Sequence, residues 1–234
     1  MSDSPDTDFY ATYGLFKGYE TPSLDAKQVR RFDAEFWAPS GCAPDLSVLE
    51  VGCSTGLFLA YLKEKGVGDF LGIDKDRSLA QYVPKSVADN FLAADVWEFL
   101  AGGAAGRRFD IAVLFDVLEH FTPPDGARLL EGLAGVLKPG GRVLLKLPNM
   151  GSPWGAKYQF GDLTHKAAYN PSSVRQLALA AGYADVACYP CLEGSPARRF
   201  LDPLFHSLMS KILMSPPEIW TANFFARLSA GPAA

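Results

Sequence analysis

The sequence predicts a doubly wound α/β fold, a sheet covered by helices on both faces. From Leu46 onward, apolar runs of strand length alternate with amphipathic helical stretches, the pattern of right-handed βαβ crossovers. The most apolar run, Asp110-Ile111-Ala112-Val113-Leu114-Phe115, shows no polar alternation and reads as a strand buried on both faces. The 234 residues, 48% hydrophobic and 21% charged, supply one sizeable core rather than two ordinary domains.

Residues 1–45 read as an N-terminal helical and aromatic lid. Phe9, Tyr10, Tyr13, Phe16 and Tyr19 precede a helical period from Ser23 to Trp37, in which Leu24, Val29, Phe32 and Phe36 share a face; Pro39, Gly41 and Pro44 end it. Residues 46–234 form the main domain. Leu46–Val51 is its first strand and Leu57–Lys65 its first helix, closed by Gly66. Asp69–Asp74 is the second strand, with a helix expected from near Asp76. Asn90–Ala94 is the third, after which Asp95 caps a helical turn over Val96–Leu100. The fourth strand, at 110–115, leads to a helix started by Pro123-Pro124, with Ala127, Leu129, Leu130, Leu133 and Leu137 apolar. Lys138-Pro139-Gly140-Gly141 turns the chain into a fifth strand, Arg142–Leu147. An insertion over about 148–170 follows, then a helix through Ala181, capped by Asn170 or Ser172, with Val174, Leu177 and Leu179 apolar. Gly182–Pro190 is a sixth strand, about 196–215 a helical cover, and Trp220–Leu228 a seventh strand.

Composition excludes several roles. With 22 basic against 26 acidic side chains the net charge is −4, so no positive field gathers nucleic-acid phosphates. No run of about 18 apolar residues occurs. Met1–Asp8 is acidic and lacks the basic and apolar regions of a leader, so a cytoplasmic location is expected. Cys42, Cys53, Cys188 and Cys191 read as free thiols. Cys188-x-x-Cys191 lacks the two further ligands of a structural zinc site, and no metal is expected. In an open α/β sheet the ligand sits beyond the carboxyl ends of the strands, so the loops after Val51, Ile73, Ala94 and Phe115 matter most.

The first of these loops reads Glu50-Val51-Gly52-Cys53-Ser54-Thr55-Gly56, where Gly52 and Gly56 allow a tight turn and a close approach to a ligand. Asp74 closes the second strand, where an acceptor carboxylate can hold ribose hydroxyls. Asp95 closes the third, Asp110 opens the fourth, and Asp116-Val117-Leu118-Glu119-His120 follows it. Together with Leu137-Lys138-Pro139-Gly140-Gly141, this ordered set resembles the class I S-adenosylmethionine-dependent methyltransferases. The resemblance implies a Rossmann-like, seven-stranded mixed sheet whose seventh strand runs antiparallel beside the fifth. It further implies contacts to S-adenosylmethionine, or to its product S-adenosylhomocysteine, from Glu50, Gly52, Cys53, Ser54, Gly56, Asp74, Asp95, Val96 and Phe115. Asp74, Asp95, Asp110 and Asp116 would then face a cationic cofactor. A nicotinamide dehydrogenase would want Gly-x-Gly-x-x-Gly, and here Ser54 and Phe58 or Leu59 interrupt it. A non-catalytic binding module of the same fold is expected to lose the glycines or Asp74, which are kept.

The stretch Gly161-Asp162-Leu163-Thr164-His165-Lys166, with Pro171–Leu177 and Ala181-Gly182-Tyr183, resembles bacterial methyltransferases of glycan, O-antigen or capsule assembly. That implies O-methylation of a sugar hydroxyl, with His165 pointing into the cleft. Asp162 beside His165 suits a general base near neutral pH. Asp116 is the alternative base, and His120 supports either the chemistry or the loop. Tyr13, Trp154 and Tyr169 are expected to contact the acceptor. A small-molecule methyltransferase acting on phenols or quinone-like acceptors shares every cofactor motif. Asp116, Glu119, His120 and Asp162 could gather around Mg²⁺, although their spacing does not demand it. The stripe from Phe200 to Met214 admits three readings: a helix closing the sheet edge, a membrane-surface patch, or a dimer face.

Overall fold

The computed structural model describes residues 9–192, 194 and 196–230; the acidic segment 1–8 lies outside the described residues. Seven strands, β1 (Ser47–Val51), β2 (Asp69–Asp74), β3 (Phe91–Ala93), β4 (Phe109–Phe115), β5 (Leu137–Pro148), β6 (Tyr183–Pro190) and β7 (Asn223–Ala230), form one sheet in the order β3-β2-β1-β4-β5-β7-β6. β1 to β5 are parallel, and β7 runs antiparallel between β5 and β6. This is the expected seven-stranded mixed sheet. Its two-residue period divides the core. Val48, Ile111 and Val113 face one layer, while Leu49, Val51, Ala112 and Leu114 face the other.

The first layer is covered by α2 (Ala26–Phe32), its continuation through α3 (Ala38–Ser40), and α4 (Leu57–Glu64). α1 (Tyr13–Lys17) precedes them as a short strap. Asp25 and Gln28 form a reciprocal capping box that starts α2. A π-helical segment, Asp33–Trp37, then joins α2 to α3 and keeps Glu35 and Phe36 buried. The second layer comprises α5 (Val96–Ala101), α6 (Pro123–Val136) and α8 (Pro171–Ala180). Asn170 caps α8 by accepting from Ser173 N. The loop between β5 and α8 holds the short α7 (Ala156–Gln159), and α9 (Pro196–Ile212) lies between β6 and β7.

Several expectations need correction. The helix expected after Asp76 is two 3₁₀ segments, Arg77–Gln81 and Lys85–Asn90, because Pro84 interrupts the stretch and has no N–H to donate. Leu179 is exposed; the buried face of α8 is Val174, Leu177 and Ala178, and Leu179 projects away from it. Opposite the carboxyl ends where the ligand is expected, Asp110 sits at the amino end of β4. There it accepts from Ser47 N at 2.7 Å and pairs with Lys138 Nζ at 2.7 Å, so it ties two strand starts together. The seventh strand begins at Asn223, three residues later than Trp220. Finally, α9 does not close the sheet edge with its Leu-Phe stripe, because it is the His206 and Ser210 side that meets the protein.

Gly72 in β2 is a crowded interior position: a Cβ there would stand 2.8 Å from Cys53 Sγ and from Leu59. Gly135 in α6 is exposed, with nothing within 4 Å of an added Cβ. Gly72→Ala is therefore expected to cost about 1–3 kcal/mol, whereas Gly135→Ala should add about 1 kcal/mol. Denaturant midpoints of the two variants should move in opposite directions.

Candidate active site

The loops at the carboxyl ends of β1, β2 and β4 converge. After β1 the chain turns through left-handed conformations at Gly52 (φ 73°), Ser54 (φ 49°) and Gly56 (φ 79°). A Cβ on Gly52 would come within 2.6 Å of Val117 Cγ2, so a glycine is needed for this loop to pass the chain leaving β4. Asp74 braces the loop. Its Oδ2 accepts from Ser54 N at 2.9 Å and its Oδ1 from Asp76 N at 3.0 Å, and burial raises its pKa against those bonds. Asp95 accepts from Trp97 N at 2.8 Å as the cap of α5, with Val96 buried behind it.

A cavity of about 300 Å³ opens beside this loop, of a size for part of a small ligand. Glu50, Gly52, Cys53, Ser54, Phe115 and Asp116, all expected site residues, line it. Phe32, Phe58 and Phe115 form an aromatic wall, with Phe58 edge-on to Phe115 at 5.1 Å between centroids. Glu50 is buried, its Oε2 has no hydrogen-bond partner, and burial pushes its pKa well above the usual carboxylate range. Asp116 adopts φ 56°, a strained conformation for a non-glycine residue, and its carboxylate lies 3.5 Å from Lys146 Nζ.

Sequence reasoning missed three charged residues of this cavity: Arg31, Glu35 and Lys146. Arg31 pairs with Glu35 one turn on at 3.8 Å. Lys146 carried a usable signal, a lone charge within the central strand run Leu144-Leu145-Lys146-Leu147. Arg31 and Glu35 gave only an i,i+4 pair on the lid helix. A larger open groove of about 710 Å³, lined by Ser23, Asp25, Val29, Ala60 and Pro84 among others, lies on the flank of α2 and α4.

The insertion supplies the second half of the site. Asp162 accepts from Thr164 N at 3.0 Å, Thr164 Oγ1 at 2.5 Å and Tyr13 Oη at 2.8 Å, and pairs with Lys17 at 3.4 Å. These partners hold its pKa well below the ordinary value despite its partial burial. Thr164 gives its only hydroxyl proton to Asp162, so its contact with His120 Nδ1 at 3.0 Å makes the imidazole N–H the donor. That leaves His120 Nε2 as an acceptor. Burial, reinforced by His165, pulls the His120 pKa down to about 4. The rings of Tyr10 and Tyr13 lie 6.1 and 6.5 Å from it.

His165 does not open to the cleft as expected. Its side chain is 8% exposed, Nδ1 donates to the Gln159 carbonyl at 2.8 Å, and Nε2 faces Glu119 Oε1 at 4.0 Å. Glu119 is fully buried without a hydrogen-bond partner for either carboxylate oxygen, and burial raises its pKa strongly. Tyr169 is a correction as well. It is buried beneath Glu119 among the residues of the second core layer, with its hydroxyl unpartnered, and is not placed to touch an acceptor. Trp154 is half-exposed at the start of the insertion.

His120, Asp162 and His165 each present a ligand atom within 4.8 Å of the others, the group among the described residues that could hold a metal ion. Nothing in the sequence demanded one. As folded, these donors are engaged with Thr164, Tyr13, Lys17 and Gln159, and the ammonium of Lys17 competes with a cation for Asp162.

Comparison with known proteins adds a family. A family model described as a methyltransferase domain matches residues 25–187, more than half of the chain. A ubiquinone biosynthesis O-methyltransferase of Coxiella burnetii is 33% identical over 152 residues, which are 58% of this chain and 62% of that protein. The match thus spans about three fifths of such curated relatives. A ribosomal protein L11 methyltransferase of Methylobacillus flagellatus is 30% identical over 47% of this chain and 35% of its own. Among solved structures, a SAM-dependent methyltransferase from Archaeoglobus fulgidus superposes with a TM-score of 0.63 at 19% identity, covering 95% of this chain and 100% of its own. A plantazolicin methyltransferase in complex with SAH gives 0.58 at 18% identity, covering 97% and 91%. These two likenesses are of fold.

The packing of the two imidazoles, 4.7 Å apart between centroids, generates a titration test. His165→Gln removes the neighbour that helps hold the His120 pKa near 4, so the His120 resonance should titrate at a higher pH, nearer the ordinary value of about 6.5. Imidazole NMR across pH 3 to 8 reads this, roughly one unit on either side of both values.

Proposed function

The chain belongs to the methyltransferase domain family, and from that premise we propose that it is an S-adenosylmethionine-dependent O-methyltransferase acting on the hydroxyl of an apolar, phenol- or quinol-like acceptor, with His120 as general base. The observation that carries this reading is the His120-Thr164-Asp162 relay, which leaves a neutral imidazole nitrogen as the only free proton acceptor of that ring.

The cofactor pocket fits the group chemically. The unpartnered, buried Glu50 oxygen and the neighbouring Glu35 and Asp116 suit a cationic ligand, and Arg31 and Lys146 suit its carboxylate. Asp74 would take the ribose hydroxyls while bracing the Ser54 turn, and Asp95 with Val96 would border the adenine. When bound, the cofactor supplies an electrophilic sulfonium methyl for in-line displacement. The protein's part is alignment, water exclusion and proton removal. Tyr10 and Tyr13 enclose His120 from the lid side, and Tyr13 is tied to Asp162, so the lid and the insertion are joined over the reacting hydroxyl.

Two physical arguments favour a phenolic over a sugar acceptor. A base whose conjugate acid has a pKa of about 4 is weak. It suits a phenol, near 10, better than an aliphatic hydroxyl, which is a far weaker acid. The lid and insertion expose several large apolar side chains, Phe16, Trp154, Phe160 and Leu163, alongside Lys17, Lys157 and Lys166. Asp162 and Thr164, in the stretch whose resemblance implies a sugar acceptor, are engaged in orienting His120. The printed name of the Coxiella burnetii relative is consistent with this choice.

His120→Ala should lower turnover about 10²–10⁴-fold and leave cofactor affinity within a factor of about two, because the ring lies on the acceptor side. The base works neutral, so its activity is lost only as pH falls through its pKa. kcat/KM should stay level from about pH 8 to about pH 5 and decline toward about 4; an acid limb near 6.5 would count against His120. Asp74→Ala should weaken cofactor binding at least tenfold, about 1.4 kcal/mol by calorimetry. A panel of catechols, quinols, nucleotide sugars and glycan fragments with labelled cofactor tests the acceptor class, and labelling confined to the glycans would overturn it.

A further inference from the structure

We propose that α9 is an interfacial helix that docks this protein on an anionic lipid surface. Among the described residues, His206 and Ser210 fasten the helix to the protein. His206 stacks on Trp220 with 5.2 Å between ring centroids and 7° between planes, and Ser210 Oγ accepts from Trp220 Nε1 at 2.9 Å. At about 100° per residue, Phe200, Leu201, Leu204, Phe205, Leu208 and Ile212 lie on the opposite side. All six are 51 to 69% exposed. The apolar stripe is therefore held outward by its own anchor rather than left over from poor packing.

Charge decides the occupant. The segment Pro196–Ile212 carries Arg198, Arg199 and Lys211 against Asp202 alone, in a chain whose net charge is −4. Lys211 sits within the apolar stripe, where a long aliphatic stem can cover apolar surface while its ammonium reaches lipid phosphates. A second copy is the weaker fit. One helix face about 25 Å long and about 10 Å wide falls well short of the roughly 800 Å² per partner of a standard stable interface. It would also bring Lys211 of each copy into an apolar contact. No described helix is long and apolar enough to cross a membrane, so the mode is surface docking. The proposal stands independently of the acceptor assigned above.

Flotation of the full chain with vesicles tests it. The protein should rise with phosphatidylglycerol-phosphatidylcholine vesicles and at least tenfold less with pure phosphatidylcholine. Phe205→Ser with Leu208→Ser should reduce flotation at least tenfold, and Lys211→Glu should remove the preference for anionic vesicles. Because all three side chains are exposed, thermal unfolding should be unchanged, which separates lost docking from lost folding. Wild-type protein that stays at the bottom with anionic vesicles overturns the proposal. So does a wild-type dimer in sedimentation that Phe205→Ser/Leu208→Ser converts to monomer, since the stripe is then covered by a second copy.

Discussion

The arrangement of the whole site rests on how closely the chain leaving β1 passes the chain leaving β4. These strands are neighbours in the sheet, and both emerge at the same end. Their loops share one narrow space, and the absence of a side chain at Gly52 lets Val117 fill it. With that contact made, Asp116 is turned into a left-handed conformation beside the cofactor cavity, and Glu119 and His120 follow within one short 3₁₀ turn. A wider separation would move His120 away from the cavity lined by Glu50 and Asp116. The position of the chemistry is thus set by a steric minimum between two parallel strands, with the carboxylate of Asp74 holding the other flank through Ser54 N.

The cofactor half was legible in the sequence because its residues sit at fixed places on regular elements. Strand ends could be read from apolar runs, which place Glu50, Asp74, Asp95 and Phe115 at the carboxyl end of the sheet, where the structure has them. Asp110 shows the limit of that reasoning. Its residue type matched, yet it opens a strand, and in a parallel sheet that places it on the far side, where Ser47 and Lys138 use it. The acceptor half was less legible, since the insertion has no period to read. Sequence proximity pointed to Asp162 and His165 as partners, whereas the turn that lets Asp162 cap Thr164 directs His165 inward to Gln159 and Glu119. Thr164, the residue that hands His120 to Asp162, gave no signal beyond being small and polar.

α9 illustrates a different gap. Its periodicity was plain, and periodicity identifies a helix with an apolar face, but it does not say what that face meets. The answer lay in Trp220 and in the spacing of His206 and Ser210, a polar anchor that fixes the rotation of the helix about its own axis. A stripe of Leu and Phe is ordinarily pulled toward the core by the area it buries. Here the contacts of His206 and Ser210 with Trp220 turn the stripe outward, where its six large apolar side chains stay more than half exposed.

Burial of several carboxylates at one end of the sheet carries an electrostatic cost that the rest of the fold does not offset. Glu50 and Glu119 are pushed strongly toward their neutral forms by desolvation, and Asp74 is raised against two backbone donors. Hydrophobic side chains of similar size would be cheaper at these positions. Their presence is accounted for on the cofactor side by a cationic ligand, because a sulfonium or ammonium brought into the cavity favours the ionised form of Glu50 and lowers its pKa. Glu119 lies on the other side of the Asp116 turn, against His165. Its burial favours the uncharged form, and the basicity of His120 is set first by its own burial and then by His165, with Asp162 acting in the opposite direction. The two buried acids thus differ in setting: Glu50 lines a cavity where a cationic ligand would favour its ionised form, whereas Glu119 is enclosed against His165 and driven toward its neutral form.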